Sequence, residues 1–357
     1  MRLRRLTVAS VAIFAGLALA FCKKKDEADT DTFQRGPLLQ NVADNYITPG
    51  YAAMQASLQA LSDSWQTFLT NNDQASLDAV KNNCITADLV FQRIKMLECG
   101  PSMNLLFTES LGTFPTDTIK IESHITSGSY DLTVMDNFDS EGFDALDYLL
   151  FGNNALTNLQ NSASRKNYTS AVIGRMLQLS NTLVTQWASY KSTFVAGTGN
   201  SSTDPFALFV NNYCKDYDYA KATKIAIPFG KTTLGIKKLP YLEMRRSKTG
   251  TQLLQANMSA LRDLFNGNSW TGASGTGFDD YLVAVEQSDL SSTINSRLAT
   301  LASTPAGWTD NLENMMVSQS SVIEDYYNYM SSTTVYMKTD MTSAFGVVIT
   351  YQDNDGD

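Results

Sequence analysis

Apolar residues recur at alternating steps of four and three along most of this 357-residue chain, which favours amphipathic α-helices. The clearest run consists of Ile47, Tyr51, Met54, Leu58, Leu61, Trp65 and Phe68. The alternation of apolar and polar residues that is typical of β-strands is nearly absent. The sequence therefore predicts an all-α fold of two helical-bundle-like halves joined by long irregular connections.

The same periodicity predicts where the individual helices lie. Two long helices at 38–69 and 77–94, separated by a polar break, would form an antiparallel pair. The other predicted helices lie at 168–190, 206–213 and 252–265, and one long helix from 308 to about 345 closes the chain. Residues 102–140 are predicted to be loop-rich with short helices at most, and long irregular segments in compact domains are often functional.

A polar, glycine-rich segment at residues 196–205 is the clearest linker in the chain. We place a boundary there, which predicts a first helical-bundle domain at 37–195 and a second at 206–351. The alternative is a surface loop within one continuous bundle. A pseudo-repeat favours two related halves, because Gly-Phe-Asp at 142–144 is echoed by Gly-Phe-Asp at 277–279.

The N-terminus has the composition of a targeting segment. Arginines at positions 2, 4 and 5 precede an apolar core at residues 6–20, which is too short for the usual transmembrane span. Cys22 then follows the arrangement of a bacterial lipoprotein signal, although Phe21 stands where a small residue normally precedes the cysteine. An ordinary secretory signal is the alternative.

We therefore predict a signal peptide at residues 1–22, lipidation of Cys22 and a flexible tether at residues 23–36. The lipid on Cys22 would make a membrane the protein's first partner. The predicted location is a bacterial cell envelope, with the chain anchored to the outer membrane and facing the periplasm or the cell surface.

Charge and composition exclude several function classes. A net charge of −9 argues against a nucleic-acid partner, which requires a basic face. A single histidine, His124, severely limits zinc sites and histidine-based catalysis. Neither His-Glu-x-x-His nor Gly-x-Ser-x-Gly occurs. The cysteines at positions 84, 99 and 214 form no Cys-x-x-Cys pair, and buried inert thiols are the favoured interpretation.

Residues 141–152 carry the candidate chemistry. They read as a polar turn followed by an apolar helix on which Asp144 and Asp147, three residues apart, share one face. Two acids near a helix start stabilise the helix dipole. They also supply the carboxylate oxygens that hard cations prefer. The helix chemistry alone favours the dipole interpretation over a cation site.

The segment from Gly142 to Gly152, Gly-Phe-Asp-Ala-Leu-Asp-Tyr-Leu-Leu-Phe-Gly, resembles the Gly-x-His-x-x-Glu motif of the imelysin family. Three further segments are similar to elements of that family, in the same order along the chain: residues 37–51, 243–267 and 277–282. The resemblance implies an all-helical, envelope-associated protein that takes part in the acquisition of iron or another divalent cation, together with a transport partner in the envelope. Some members were labelled peptidases.

This chain departs from the motif at both chemical positions, because Asp144 replaces the histidine and Asp147 replaces the glutamate. An all-carboxylate pair suits harder cations than imidazole does. Glu122, Glu141 and Glu243 are the candidates for the further oxygen ligands that such an ion requires.

Three functions therefore remain open. The favoured one is a protein that binds iron or another divalent cation, and the others are a metal-free surface-interaction member and a peptidase. Arg245 and Arg246 could instead pair with the two aspartates and leave no metal site.

Overall fold

The computed structural model describes residues 33–351, and the regular elements in that range are all helical. The predicted all-α fold is confirmed. The described residues belong to one compact unit. The signal peptide, Cys22 and most of the predicted tether lie outside the described residues, and the division between residues 195 and 206 remains a prediction.

The part of the chain before the glycine-rich segment forms nine of the helices in the described range. These are α1 (Arg35–Val42), α2 (Thr48–Asn71), α3 (Gln74–Gln92), α4 (Pro101–Asn104), α5 (Phe107–Gly112), α6 (Thr118–Ser127), α7 (Gly142–Phe151), α8 (Ala155–Gln160) and α9 (Ala163–Ala196). A π-helical segment, Ala43–Ile47, joins α1 to α2 without a break, and a 3₁₀ segment, Met135–Ser140, precedes α7. Pro49 lies in the first turn of α2, where its missing N–H is tolerated.

The part after that segment continues with shorter helices. These are α10 (Pro205–Tyr219), α11 (Ile227–Phe229), α12 (Gly250–Phe265), α13 (Phe278–Ala284), α14 (Ser288–Ser303), α15 (Leu312–Ser318), α16 (Ser320–Thr334) and α17 (Thr342–Ala344). Two π-helical segments, Ala220–Ala226 and Val335–Met341, extend α10 and α16. The 3₁₀ segments Leu239–Tyr241 and Thr304–Gly307 lie in the connections.

The core is formed by the apolar stripes of these helices. α2 packs along α3 and α9, α12 packs along α14, and α3 also contacts α12, so the two sequence halves share one core. The stripe on α2 that defined the periodicity is buried throughout, from Met54 to Phe68. Asp73 begins α3 as a side-chain cap, because its carboxylate accepts the N–H of Ser76 at 2.9 Å.

Three expectations about the helices are corrected. The closing helix predicted from 308 to 345 is broken into α15, α16 and α17, and Gln319 separates α15 from α16. The predicted helix at 206–213 runs on to Tyr219 and beyond, because Tyr213, Tyr217 and further apolar side chains remain buried. Residues 102–140 contain α4, α5 and a full α6, so His124 lies in a helix rather than in a loop.

Two further observations concern the described residues. The thiols of Cys84, Cys99 and Cys214 are free and buried, as predicted. Within residues 33–351, none of the helices combines the length and the apolar character that crossing a membrane requires.

Candidate functional site

The motif helix α7 begins at Gly142, and close packing against α5 explains the glycine. Gly142 has a φ of +78°, in the left-handed region that favours glycine. A Cβ atom there would lie 2.5 Å from the backbone oxygen of Leu111, at the end of α5. The apolar residues of α7 that are buried in the core are Phe143, Ala145, Leu146, Leu149 and Leu150. α7 is therefore fixed in the core, and this fixes the positions of its two aspartates.

Asp144 connects α7 to two segments that are distant in sequence. Its Oδ2 accepts the backbone N–H of Thr116, just before α6, at 2.8 Å. Its Oδ1 accepts the backbone N–H of Met244 at 3.0 Å. Met244 belongs to the 242–249 loop, which lies between the 3₁₀ segment Leu239–Tyr241 and α12. Both carboxylate oxygens of Asp144 are therefore occupied by main-chain donors.

Asp147 binds the same loop one helical turn further on. Its Oδ2 accepts the N–H of Arg246 at 2.8 Å, and its Oδ1 accepts the N–H of Ser247 at 2.7 Å. The side chain of Asp147 is fully buried, and the guanidinium of Arg246 lies 3.7 Å from Oδ2. We call the two aspartates and these four N–H groups the aspartate clamp.

The aspartate clamp holds the 242–249 loop in an otherwise unfavourable backbone conformation. Met244 and Lys248 have φ values of +47° and +63°, which cost a residue other than glycine about 1–2 kcal/mol each. A hydrogen bond to a charged acceptor contributes about 1.5–3 kcal/mol, and three of the clamp's bonds come from this loop. The carboxylates therefore outweigh the backbone strain and set the shape of the loop.

Burial destabilises the ionised forms of Asp144 and Asp147. Burial, together with the neighbouring charge of Asp147, raises the pKa of Asp144 to about 7. Burial also raises the pKa of Asp147, although the N–H donors of Arg246 and Ser247 act in the opposite direction. The backbone donors are therefore what allows two carboxylates to lie side by side in the core.

Glu122 lies on α6 and is paired away from the motif carboxylates. It accepts a hydrogen bond from the hydroxyl of Tyr148 and forms an ion pair with Arg165 on α9. Glu122 therefore contacts the motif helix through Tyr148 rather than through Asp144 or Asp147.

Glu141 immediately precedes α7 and is almost completely buried, with 1 % of its surface exposed. Among the described residues, neither of its carboxyl oxygens has a hydrogen-bond partner. Burial raises the pKa of Glu141 to about 8, and the positive charge of Arg175 only partly offsets this effect. Burial therefore favours the neutral form of Glu141, which makes it a poorer cation ligand than an exposed carboxylate.

Glu243 immediately precedes Met244 but belongs to a separate buried network. It forms an ion pair with Lys224, in the π-helical segment Ala220–Ala226, and accepts a hydrogen bond from Gln92 at 3.1 Å. Burial raises the pKa of nearby Asp88 to about 8, with a further contribution from the charge of Glu243. Because Lys224 forms the ion pair with Glu243, the charge of Glu243 is balanced within this network.

The structure brings Asp144 and Asp147 together but does not gather the five predicted acids around one point. In the described range, no group of three or more histidine, cysteine, aspartate or glutamate side chains is arranged to hold a metal ion. The four oxygens of the pair also face N–H groups, whose positive ends point to where a cation would bind. The residues present therefore do not fit the cation site that the sequence suggested.

The alternative role predicted for the two arginines is partly confirmed. Arg246 does contact Asp147, whereas Arg245 forms two hydrogen bonds to Glu313, at 2.7 and 2.9 Å. The main partners of the aspartates are backbone N–H groups, which the sequence analysis missed. The polar run from Arg245 to Gly250 signals a tight turn but does not show which side chains it meets.

A basic pocket opens beside the clamp. It is lined by the end of α7 and by the 242–249 loop, and its lining residues are Phe151, Gly152, Asn153, Arg245, Arg246, Lys248 and Glu313. Its volume is about 340 Å³. Three basic side chains and one acidic side chain face it, so its lining carries a net charge of +2.

A second, smaller cavity of about 110 Å³ lies between α5 and α10. Two ion pairs line it, Lys95 with Asp216 at 3.5 Å and Lys215 with Glu98 at 2.8 Å. Burial and the charge of Glu109 raise the pKa of Glu98 to about 7. These groups come from segments more than a hundred residues apart, so sequence spacing gives no signal that they meet.

Comparison with known proteins identifies the family. The family model described as Imelysin matches residues 47–326, which is most of the chain. The chain belongs to the imelysin family. The resemblance seen in the four sequence segments is thereby confirmed. No curated protein matches this chain.

Two solved imelysin-like structures share the fold. An iron-regulated protein A precursor from Parabacteroides distasonis is similar with a TM-score of 0.73 and 14% identity, over 87% of this chain and 94% of that one. An imelysin-like protein from Psychrobacter arcticum is similar with a TM-score of 0.73 and 14% identity, over 89% of this chain and 97% of that one. At this identity the likeness establishes the imelysin fold, while the site must be judged on this chain's own residues.

Proposed function

We propose that this imelysin-family protein is an envelope-anchored lipoprotein that takes part in iron uptake as a binding protein. The observation that carries the proposal is the family match over residues 47–326. The name of the Parabacteroides neighbour, an iron-regulated protein, supports the link to iron. The basic start, short apolar core and Cys22 support the anchor.

The site chemistry argues against peptide cleavage. A peptidase needs a base that is free to accept a proton from water or from a nucleophile. In the aspartate clamp all four carboxylate oxygens already accept backbone N–H groups, and the side chain of Asp147 is fully buried. These groups hold the fold in place, so the proposal assigns them no catalytic step.

The occupied oxygens of the clamp also favour a second candidate, a metal-free member that acts through surface interaction. Iron physiology separates the two candidates. We would delete the gene in its native bacterium and measure growth under iron limitation together with uptake of labelled iron. If the protein takes part in iron uptake, the deletion strain should grow more slowly under iron limitation and take up less labelled iron. The wild-type gene should restore both, and growth in excess iron should be normal. Wild-type growth and uptake in the deletion strain would exclude the iron function.

The anchor is tested in the same strain with a Cys22→Ser gene. Loss of the lipidated cysteine should move the protein from the membrane fraction to the soluble fraction. The matched control is Cys84→Ser, because Cys84 is buried in α3 and has no part in the proposed anchor. Retention of the Cys22→Ser protein in the membrane fraction would contradict lipid anchoring.

A further inference from the structure

We propose that the basic pocket binds a small oxyanion with several negative charges, and that its ligand in iron uptake is an anionic polycarboxylate chelate of iron. This inference rests on the proposed function for the identity of the cargo. The anion site itself is argued from the pocket alone. It assigns a role to three basic residues that the iron function leaves unexplained.

The charge of the pocket contrasts with the charge of the chain. The whole protein carries −9, whereas the pocket lining carries a net charge of +2. Local positive potential in an otherwise acidic protein concentrates small anions at that position. The C-terminal end of α7 opposes this effect, because a helix end contributes about half a negative charge. Asp147, whose Oδ2 lies 3.7 Å from the Arg246 guanidinium, offsets one further charge. The lining side chains and Asp147 together carry +1, which still exceeds the charge of about one half at the helix end, so the pocket favours an anion.

The basic groups are held in place before any ligand arrives. Arg246 is fixed by the bond from its backbone N–H to Asp147, and its guanidinium lies 4.8 Å from the ring centre of Tyr148. Arg245 is oriented by its two hydrogen bonds to Glu313. A guanidinium held in this way presents a planar set of donors to carboxylate or phosphate oxygens at a low entropic cost.

Lys248 supplies the charge that is most available to a ligand. Its side chain is exposed, and the described residues include no acid within ion-pair distance of it. The backbone of Lys248 is nevertheless fixed, because its N–H donates to the carbonyl of Met244 at 3.1 Å and its φ of +63° is imposed by the clamped loop. The pocket thus combines two positioned arginines with one ammonium group that has no acidic partner within residues 33–351.

The size of the pocket selects small ligands. Its volume of about 340 Å³ is near the lower end of the range of about 300–1,000 Å³ that is typical of small-molecule sites. A tricarboxylate such as citrate, alone or as a compact iron chelate, is of suitable size and charge. Inorganic phosphate shares the oxyanion chemistry but fills less of the volume.

This assignment also accounts for the poor fit of the aspartate clamp to a cation. Ferric iron is a hard ion that prefers oxygen ligands. In a polycarboxylate chelate the chelator supplies those oxygens and leaves a negative charge on the outside. The protein then needs basic groups around the ligand and no ligand of its own on the metal. Asp147 would contribute by fixing Arg246 at the pocket wall.

The test is calorimetric titration of the full-length protein with citrate, ferric citrate and inorganic phosphate. We expect saturable binding of citrate and ferric citrate that weakens at high salt, since the attraction is electrostatic. Lys248→Gln should weaken citrate binding about tenfold, the effect of losing one charged hydrogen bond. The matched control is Lys191→Gln, which removes the same charge at an exposed ion pair with Asp44, outside the pocket. It should bind citrate as the wild type does.

The outcomes separate this inference from the proposed function. An absence of saturable binding to all three probes, or equal binding by Lys248→Gln and wild type, would overturn the anion site. Binding of phosphate with no binding of either citrate form would overturn the polycarboxylate assignment. An iron-growth defect in the deletion strain would then still support the uptake function. Conversely, Lys248→Gln could weaken citrate binding while the deletion strain shows no iron phenotype. That result would support the anion site and exclude its role in iron uptake.

Discussion

Asp144 accepts the backbone N–H of Met244, one hundred residues later in the chain, at 3.0 Å. The bond joins the motif helix to the loop that begins α12, so the family motif in this chain acts between distant segments of the fold. Asp147 repeats the arrangement one turn further along α7. At the two positions that resemble the family's histidine and glutamate, this protein has two short acids that bind main-chain donors.

Asp147→Asn should destabilise the protein by roughly 2–3 kcal/mol, because one oxygen becomes an NH₂ group facing a backbone N–H and the charge assistance is lost. Denaturant unfolding of the full-length protein measures the change. The matched control is Asp63→Asn at an exposed position of α2, which we expect to change the stability by less than about 0.5 kcal/mol. Equal stabilities of the two variants would show that the aspartate clamp does not hold the loop.

Gly142→Ala should destabilise the protein by about 2 kcal/mol or more, since the new Cβ would clash with the backbone of Leu111 and the φ of +78° disfavours alanine. Gly174→Ala is the control, because Gly174 lies inside α9 with open space around it. Alanine there should stabilise the helix by about 0.5–1 kcal/mol. Thermal unfolding compares the two, and a neutral effect at Gly142 would contradict the close packing of α5 on α7.

Ionisation of Glu141 should make the stability of the folded protein depend on pH. Its pKa is about 8 in the folded protein and near the ordinary 4.5 in the unfolded chain, so the folded state binds more protons between these values. Stability therefore falls as the pH rises from about 4.5 to 8. Glu141→Gln removes this contribution and should reduce the fall by roughly 5 kcal/mol at most, since each pKa unit between 4.5 and about 8 corresponds to about 1.4 kcal/mol. A pH profile identical to that of the wild type would mean that Glu141 is ionised in the folded protein.

Metal ions should leave the stability of the protein nearly unchanged. Because the clamp oxygens already accept N–H groups, we expect a chelator, or millimolar Mn²⁺ or Fe²⁺ without a carboxylate carrier, to shift Tm by less than about 1 °C. Thermal unfolding with each addition is the measurement, and potassium chloride at matched ionic strength serves as the control. A stabilisation of several degrees by one ion alone would restore the direct cation site.

The helical architecture could be predicted from the sequence because it depends on a local pattern. The stripe from Ile47, at the end of the π-helical segment, to Phe68 on α2 is buried as its spacing indicates. The helix ends were less predictable where tertiary contacts decide them. The closing segment keeps its apolar period from Leu312 to Met330, but the chain turns at Gln319, where no proline or glycine marks the break.

The candidate site was predicted only in part, for a physical reason. The spacing of Asp144 and Asp147 placed them on one face of a helix, and they do lie together in the core. Their partners are main-chain N–H groups, and every residue except proline carries one. Side-chain identity therefore holds no information about which segment would meet the pair. Glu122 and Glu243 were assigned to the same site because of their charge, yet each has a nearer cation, Arg165 and Lys224.

The aspartate clamp also bears on the order of folding. Its bonds to the 242–249 loop close a chain segment of one hundred residues, and joining such ends costs about 4 kcal/mol of loop-closure free energy. Contacts between distant segments with so high an entropic cost are expected to form after the local helix pairs, such as α2 with α3. Loss of the clamp should therefore appear mainly as faster unfolding, with a refolding rate close to that of the wild type. Asp144 and Asp147 would then govern how long the folded protein persists more than how quickly it forms.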